Sequence, residues 1–288
     1  MKYGLVLEGG AMRGLFTAGI LDVFTAEGIT FDGAVGVSAG AVFGCNFKSG
    51  QLGRTLRYNL RFARDPRYCS FASLLLTGDL YGADFCYDAI PHHLDIFDEY
   101  AFARNPMQFY IVCTDVHTGK PVYHLCSDGE ERDMKYMQGS ASMPVASRAV
   151  SVDGLELLDG GISDSIPLKF MESEGYEKNI VILTQPASYR KQPQKGLPLM
   201  KKALKKYPEI IHDMEVRHDA YNAQAEYVAQ REQEGAVLVL RPDEPLGIGR
   251  ITHDRDALRE AYMTGRNKAI QELDHIRAFL KERGEGHD

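Results

Sequence analysis

Three stretches of the chain carry residue types suited to acyl-transfer chemistry. The first is Gly36-Val37-Ser38-Ala39-Gly40, a G-x-S-x-G pattern between an apolar run and a helical pattern. A serine placed there sits on a sharp strand-to-helix turn with its hydroxyl held clear of the backbone. Chance alone supplies roughly 0.1 such pattern in a chain of this length and glycine content, so context must decide. A serine hydroxyl becomes a nucleophile only with a base in hydrogen-bond reach and donors awaiting the oxyanion. The second stretch, Gly9-Gly10-Ala11-Met12-Arg13-Gly14, leaves an apolar strand and enters a helix, so its backbone N–H groups could be those donors. It also reads as a degenerate dinucleotide fingerprint, G-x-A-x-x-G, which Ala11 weakens, or as a tight turn. The third is Asp159-Gly160-Gly161, where a carboxylate follows Leu155-Glu156-Leu157-Leu158 and two glycines clear space around it. That arrangement presents a base beside a site, or else forms an Asp-Gly turn.

Histidine is the usual base at neutral pH. Nine are spread from His92 to His287, and none stands in a telling context: His92 and His93 flank Pro91, His117 lies in a turn, and His212, His218 and His275 fall on polar helices. Asp159 is therefore the better-placed candidate.

An elbow serine requires a strand before it and a helix after it. Residues 32–37 predict a short buried strand and residues 39–48 a helix; residues 3–7 predict a strand and residues 14–27 a helix with Phe16, Ile20, Val23 and Phe24 at helical spacing. This alternation is that of a parallel sheet covered by helices. Further on, residues 108–114 predict a central strand and residues 121–125 its hairpin partner. Residues 149–152 and 155–158 predict a hairpin about Asp153-Gly154, and residues 179–184 another strand. Residues 65–91 read as irregular yet apolar, either a satellite of the core or a partial lid on a pocket. A long polar helix to residue 233, a strand over 236–240 and a single last helix over 254–282 complete the chain.

The net charge of −7 argues against a nucleic-acid partner. Five cysteines without C-x-x-C spacing read as reduced thiols, and no segment approaches a membrane span or a signal-peptide core, which makes the cytosol the expected location. One segment inverts the overall sign. Residues 190–206 hold seven Lys or Arg and no acid, with Leu199, Met200, Ala203, Leu204 and Tyr207 on one helical face. This reads as an interfacial helix making transient contact with anionic headgroups at a membrane surface, or as an amphipathic helix with a solvated basic face.

Taken together, the Gly-rich loop, the elbow and the Asp-Gly-Gly motif, in that order, resemble the patatin-like phospholipases, and Ala141-Ser142-Met143-Pro144 is similar to the small-residue and proline stretch ahead of that family's acidic motif. The resemblance covers roughly residues 3–185. It implies a three-layer α/β/α fold with a mostly parallel sheet, a catalytic domain over residues 1–185, and a mainly helical extension over residues 186–288. It further implies hydrolysis of lipid acyl esters by a Ser38–Asp159 dyad without histidine, metal or cofactor. In this scheme Gly9, Gly10, Ala11, Met12, Arg13 and Gly14 form the oxyanion loop, and Gly36, Gly40, Gly160 and Gly161 support the motifs. Ala11 stands where many relatives have a third glycine, and Asp164 where an asparagine is common. Two other readings stay open: a Ser-His-Asp hydrolase using a histidine such as His253, and a non-catalytic lipid- or nucleotide-binding module in which residues 9–14 grip a phosphate.

Overall fold

The computed structural model describes residues 1–281; the expected last-helix end at residue 282 and His287 lie outside the described residues. The strands are β1 (Lys2–Leu7), β2 (Gly33–Val37), β3 (Gln108–Asp115), β4 (Pro121–Leu125), β5 (Val150–Val152), β6 (Leu155–Asp159), β7 (Tyr176–Ile182) and β8 (Val237–Leu240). They form one mixed sheet in the order β5-β6-β3-β2-β1-β7-β8, with β4 also paired to β3. From β3 to β8 the strands of that path run parallel, whereas β4 and β6 pair antiparallel with β3, and β5 antiparallel with β6. The hairpin about Asp153-Gly154 has both turn residues at positive φ, 51° and 77°, as a tight two-residue connection requires.

The helices are α1 (Gly14–Ala26), α2 (Ala39–Lys48), α3 (Arg54–Phe62), α4 (Phe71–Thr77), α5 (Glu99–Arg104), α6 (Glu131–Ser140), α7 (Leu168–Ser173), α8 (Leu197–Ala203), α9 (Pro208–Gln233), α10 (Arg255–Gln271) and α11 (Leu273–Lys281). Side chains alternate across each strand, and this sorts the helices into two layers. On one face Leu5, Leu7, Ala34, Ile111 and Ile180 pack with Phe16, Ile20 and Phe24 of α1 and Ala269 and Ile276 of α10 and α11. On the other, Val6, Val35, Val37, Val112 and Val181 pack with Leu168 and Met171 of α7 and Tyr221 and Val228 of α9. Helix α10 lies backbone to backbone on α1: a Cβ on Gly265 would stand 1.9 Å from Phe16 O, and one on Gly19 would stand 2.1 Å from Tyr262 O.

Residues 65–91, expected to be irregular, hold α4 and the start of a π-helical stretch, Phe85–Leu94. Local capping explains α4. The Ser70 hydroxyl accepts from the Ser73 N–H, and Gly78 closes the helix at φ 84°. Its apolar residues do not sit on one buried side; Phe71, Leu75 and Leu76 are 78%, 87% and 84% exposed. The expected single last helix is interrupted at Glu272, giving α10 and α11. In the basic segment, Leu204 and Tyr207 are buried and Met200 partly so, but Leu199 of the same expected face points outward, 73% exposed.

Strand register brings the chemistry together. Val37 pairs with Val112, and Cys113 pairs with Asp159, so the serine after β2 and the carboxylate ending β6 flank the same short stretch of β3. Gly160 permits this closeness, since a Cβ there would stand 2.1 Å from Val112 O.

Candidate active site

Ser38 is a non-glycine residue at φ 54°, ψ −120°, the strained conformation of an elbow, and costs about 1–3 kcal/mol that its surroundings must offset. Two contacts hold it. The Ser38 N–H donates to Ser140 Oγ at 2.8 Å, and the Ser140 hydroxyl donates to Val112 O at 2.6 Å, tying the elbow to β3 through the last residue of α6. Gly40 lets α2 leave directly over β1, because a Cβ would stand 2.3 Å from Leu7 O. Gly36 and Gly40 do not line the cavities at Ser38; their contribution is this close packing.

The Gly-rich loop lies against the elbow. A Cβ on Gly9 would approach Val37 O and Ser38 Cβ to 2.9 and 3.0 Å, and Gly14 is equally tight against Ala39 and Phe43. Residues Ala11–Arg13 make a single tight turn, with the Arg13 N–H bonded to Gly10 O at 3.1 Å. The first N–H groups of such a turn have no acceptor within it, so those of Gly10 and Ala11 are available beside Ser38. Ala11 adopts φ 48°, the left-handed region that glycine enters more readily, which is the physical content of the alanine-for-glycine difference. The loop is anchored by Glu8, which the sequence reading passed over. Its buried carboxylate accepts from the Thr184 hydroxyl at 3.0 Å, the Thr184 N–H at 2.5 Å and the Tyr221 hydroxyl at 2.6 Å.

Asp159 is 7% exposed; its Oδ1 accepts from the Gly161 N–H at 2.8 Å, and its own N–H donates to Ser142 O at 2.8 Å. Burial raises its carboxyl above the ordinary carboxylate range, against the lowering effect of the Arg217 guanidinium, the Gly161 N–H, the nearby Ser38 hydroxyl and Arg250. A carboxylate with a raised pKa is a stronger base than an exposed one. Asp164 is also buried, held by the Tyr123 hydroxyl at 2.7 Å and the Gln224 amide at 2.9 Å, and plays a structural part.

Two cavities meet at Ser38. One, of about 110 Å³, is mainly apolar, walled by Met12, Val42, Phe43, Ile90, Met137 and Met143 among others. Tyr68, Tyr81, Cys86, Tyr87 and Ile90 from the 65–91 region line it, so that region contributes a pocket wall. The other, of about 400 Å³, holds Ser38, Asp159, Gly9, Gly10, Ala11 and Arg13, together with Lys191, Arg217 and Arg250 from the C-terminal third. No histidine lines either cavity among the described residues. His253 Nδ1 is engaged with Ala63 O at 2.6 Å, and His124 is buried against Asp133 at 2.6 Å, stacked on Tyr136. Cys126 lies near that pair, but Asp133 is already satisfied by His124 and by the N–H groups of Ser127, Asp128 and Gly129.

The chain is 28% identical over 272 residues to the uncharacterized protein YjjU of Escherichia coli (strain K12), covering 92% of this chain and 75% of that protein. Among solved structures, the crystal structure of VipD from Legionella pneumophila aligns with a TM-score of 0.46 and 11% identity, over 95% of this chain and 67% of that one. A family model described as a domain of unknown function (DUF6363) matches residues 207–281. The patatin-like phospholipase model matches residues 5–171, more than half the chain, and its span contains the loop, the elbow and Asp159: the protein belongs to the patatin-like phospholipase family.

Proposed function

We propose that, within this family of lipid acyl hydrolases, the protein is a serine esterase of the phospholipase A or lysophospholipase type, acting through Ser38 and Asp159. The observation that carries this reading is the meeting of an apolar and a cation-lined cavity at one elbow serine. An acyl chain fits the first and a polar alcohol the second, which sets the ester carbonyl beside Ser38 Oγ. Ser38 Oγ attacks that carbonyl as Asp159 takes its proton, and the N–H groups of Gly10 and Ala11 stabilise the oxyanion. Asp159 returns the proton to the departing alcohol, leaving an acyl ester on Ser38. Water then attacks, giving its proton to Asp159, and the acid leaves as Ser38 Oγ is reprotonated.

In this reading residues 1–185 are the catalytic unit and residues 186–288 an extension that completes the polar cavity. Transient membrane contact is part of it, through exposed Leu199 with Lys195, Lys201, Lys202 and Lys205 beside it. No helix among the described residues is long and apolar enough to cross a membrane. The test is hydrolysis of p-nitrophenyl esters and phospholipids by wild type, Ser38→Ala and Asp159→Asn, with fluorophosphonate labelling of Ser38. We expect background activity in Ser38→Ala and a loss of about 10²–10⁴-fold in Asp159→Asn. Full activity in either variant refutes the dyad.

A further inference from the structure

The cavity that opens on Ser38 carries an unusual charge. Arg13, Lys191, Arg217 and Arg250 line it, against the carboxylates of Glu8 and Asp159 alone, in a protein whose net charge is −7. Both carboxylates accept hydrogen bonds from neutral donors, Glu8 from Thr184 and Tyr221 and Asp159 from Gly161, and act on the cations only through space, Glu8 on Arg13 and Lys191 and Asp159 on Arg217. Among the described residues none of the four cations makes a direct ion-pair contact. Arg13 Nε is buried without a hydrogen-bond partner, and the Lys191 ammonium rests over the Tyr221 ring at 4.4 Å. Arg217 donates from Nε to Gly161 O, which leaves the rest of its guanidinium toward the cavity.

These cations are held there by construction. Lys191 is the one lysine of the basic segment turned into the cavity, and Asn222 of α9 clamps its backbone at both ends: the Lys191 N–H donates to Asn222 Oδ1 at 2.8 Å, and the Asn222 amide donates to Lys191 O at 3.1 Å. Burial, with Arg217, Arg250 and Arg13 nearby and only Glu8 opposing them, pushes the Lys191 amine down to about 7. Holding several cations together in a half-buried cavity is costly, and a bound anion removes that cost.

We infer that Lys191, Arg217 and Arg250, with Arg13, form a subsite for an anionic phosphate-type headgroup, so that the preferred ester substrates carry a phosphate on the alcohol side of the scissile bond. Three of the four cations lie outside the stretch matched by the patatin-like model, so the C-terminal third sets this selectivity. The subsite rests on the esterase reading for its substrate but not for its binding chemistry. Charge-assisted and bidentate contacts of guanidinium groups with phosphate are strong enough to decide between headgroups.

The test compares a monoacylglycerol with its 3-phosphate of the same acyl chain, in wild type, Lys191→Met, Lys191→Arg and Arg250→Gln. Arg250 is exposed, so its variant folds even if Lys191→Met does not. We expect wild type to favour the phosphorylated ester in kcat/KM. The ratio of the two kcat/KM values should fall about tenfold in Lys191→Met and in Arg250→Gln and be retained in Lys191→Arg. A ratio unchanged in both charge-removing variants overturns the inference. Inorganic phosphate separates a headgroup site from a site for the free ion: competition with both esters supports the headgroup site, and binding that leaves hydrolysis of both unchanged overturns it. Calorimetric binding of an ether-linked alkylglycerol 3-phosphate to Ser38→Ala keeps the two readings apart. If no ester is hydrolysed but this ligand binds and Lys191→Met weakens it, the esterase reading fails and the subsite stands.

Discussion

Ser140 gives a test of the elbow that does not depend on knowing the substrate. Its hydroxyl is fully buried, accepts from the Ser38 N–H at 2.8 Å and donates to Val112 O at 2.6 Å. Replacing it with alanine strands a buried N–H in a residue whose backbone is already strained. An unsatisfied buried donor costs about 1–3 kcal/mol, with a smaller loss at Val112, so Ser140→Ala should destabilise by about 2 kcal/mol. For a chain of this size each kcal/mol moves Tm by roughly 2–4 °C, which predicts a fall of about 4–8 °C. The freed elbow also misplaces Ser38 Oγ, and kcat on a short-chain ester should drop about 10–100-fold. Ser142→Ala is the control, since its hydroxyl only donates back to Gln138 O in the last turn of α6 and its removal strands no donor. Thermal denaturation and ester turnover of the two variants decide the matter. A Ser140→Ala protein with wild-type Tm and kcat would refute the reasoning.

Four further outcomes follow from the same geometry. Because Asp159 has a raised pKa when folded, its ionisation destabilises the fold above the unfolded carboxyl pKa, so Asp159→Asn should raise Tm at neutral pH; this gain should vanish in acid, below the unfolded value. The proposed dyad needs that carboxylate ionised, so kcat/KM on a neutral ester should rise with pH through a midpoint above the ordinary aspartate value. Lys191, at about 7, faces Arg13, Arg217, Arg250 and Glu8; between about pH 6 and 8 wild type should therefore lose preference for the phosphorylated ester relative to Lys191→Arg, the ionisation of the phosphate itself being common to both. Ala141→Leu adds an isopropyl group to the apolar cavity of about 110 Å³, and a chain-length series should show the optimum moving to shorter acyl groups.

The elbow, the loop and Asp159 were legible because each is a short local pattern whose glycines are dictated by backbone contacts within or beside it. Other parts of the site were hidden for a physical reason. Ser140 acts on a residue 102 positions away and Tyr221 on one 213 positions away, and neither stands in a pattern of its own. Arg217 lies on a long polar helix that reads as solvated from composition. Lys191 is indistinguishable in sequence from its lysine neighbours, and its partners in the fold, the Asn222 clamp on its backbone and the Tyr221 ring under its ammonium, lie some 30 residues on. The boundaries of α4 depended on the Ser70 cap and on Gly78, in a region whose apolar residues follow no helical period.

The glycine seam between α1 and α10 has a consequence for how the protein comes into being. Helix α1 begins at the Gly-rich loop, and its far side is sealed by backbone of α10, emerging from the ribosome some 240 residues later. The nascent chain thus carries Ser38 early but lacks the wall that fixes α1, and also lacks Lys191, Arg217 and Arg250 until those positions have been synthesised. Until α10 is made, the α1 face around Phe16 and Gly19 has no cover, so a premature stop before α10 should yield an insoluble fragment.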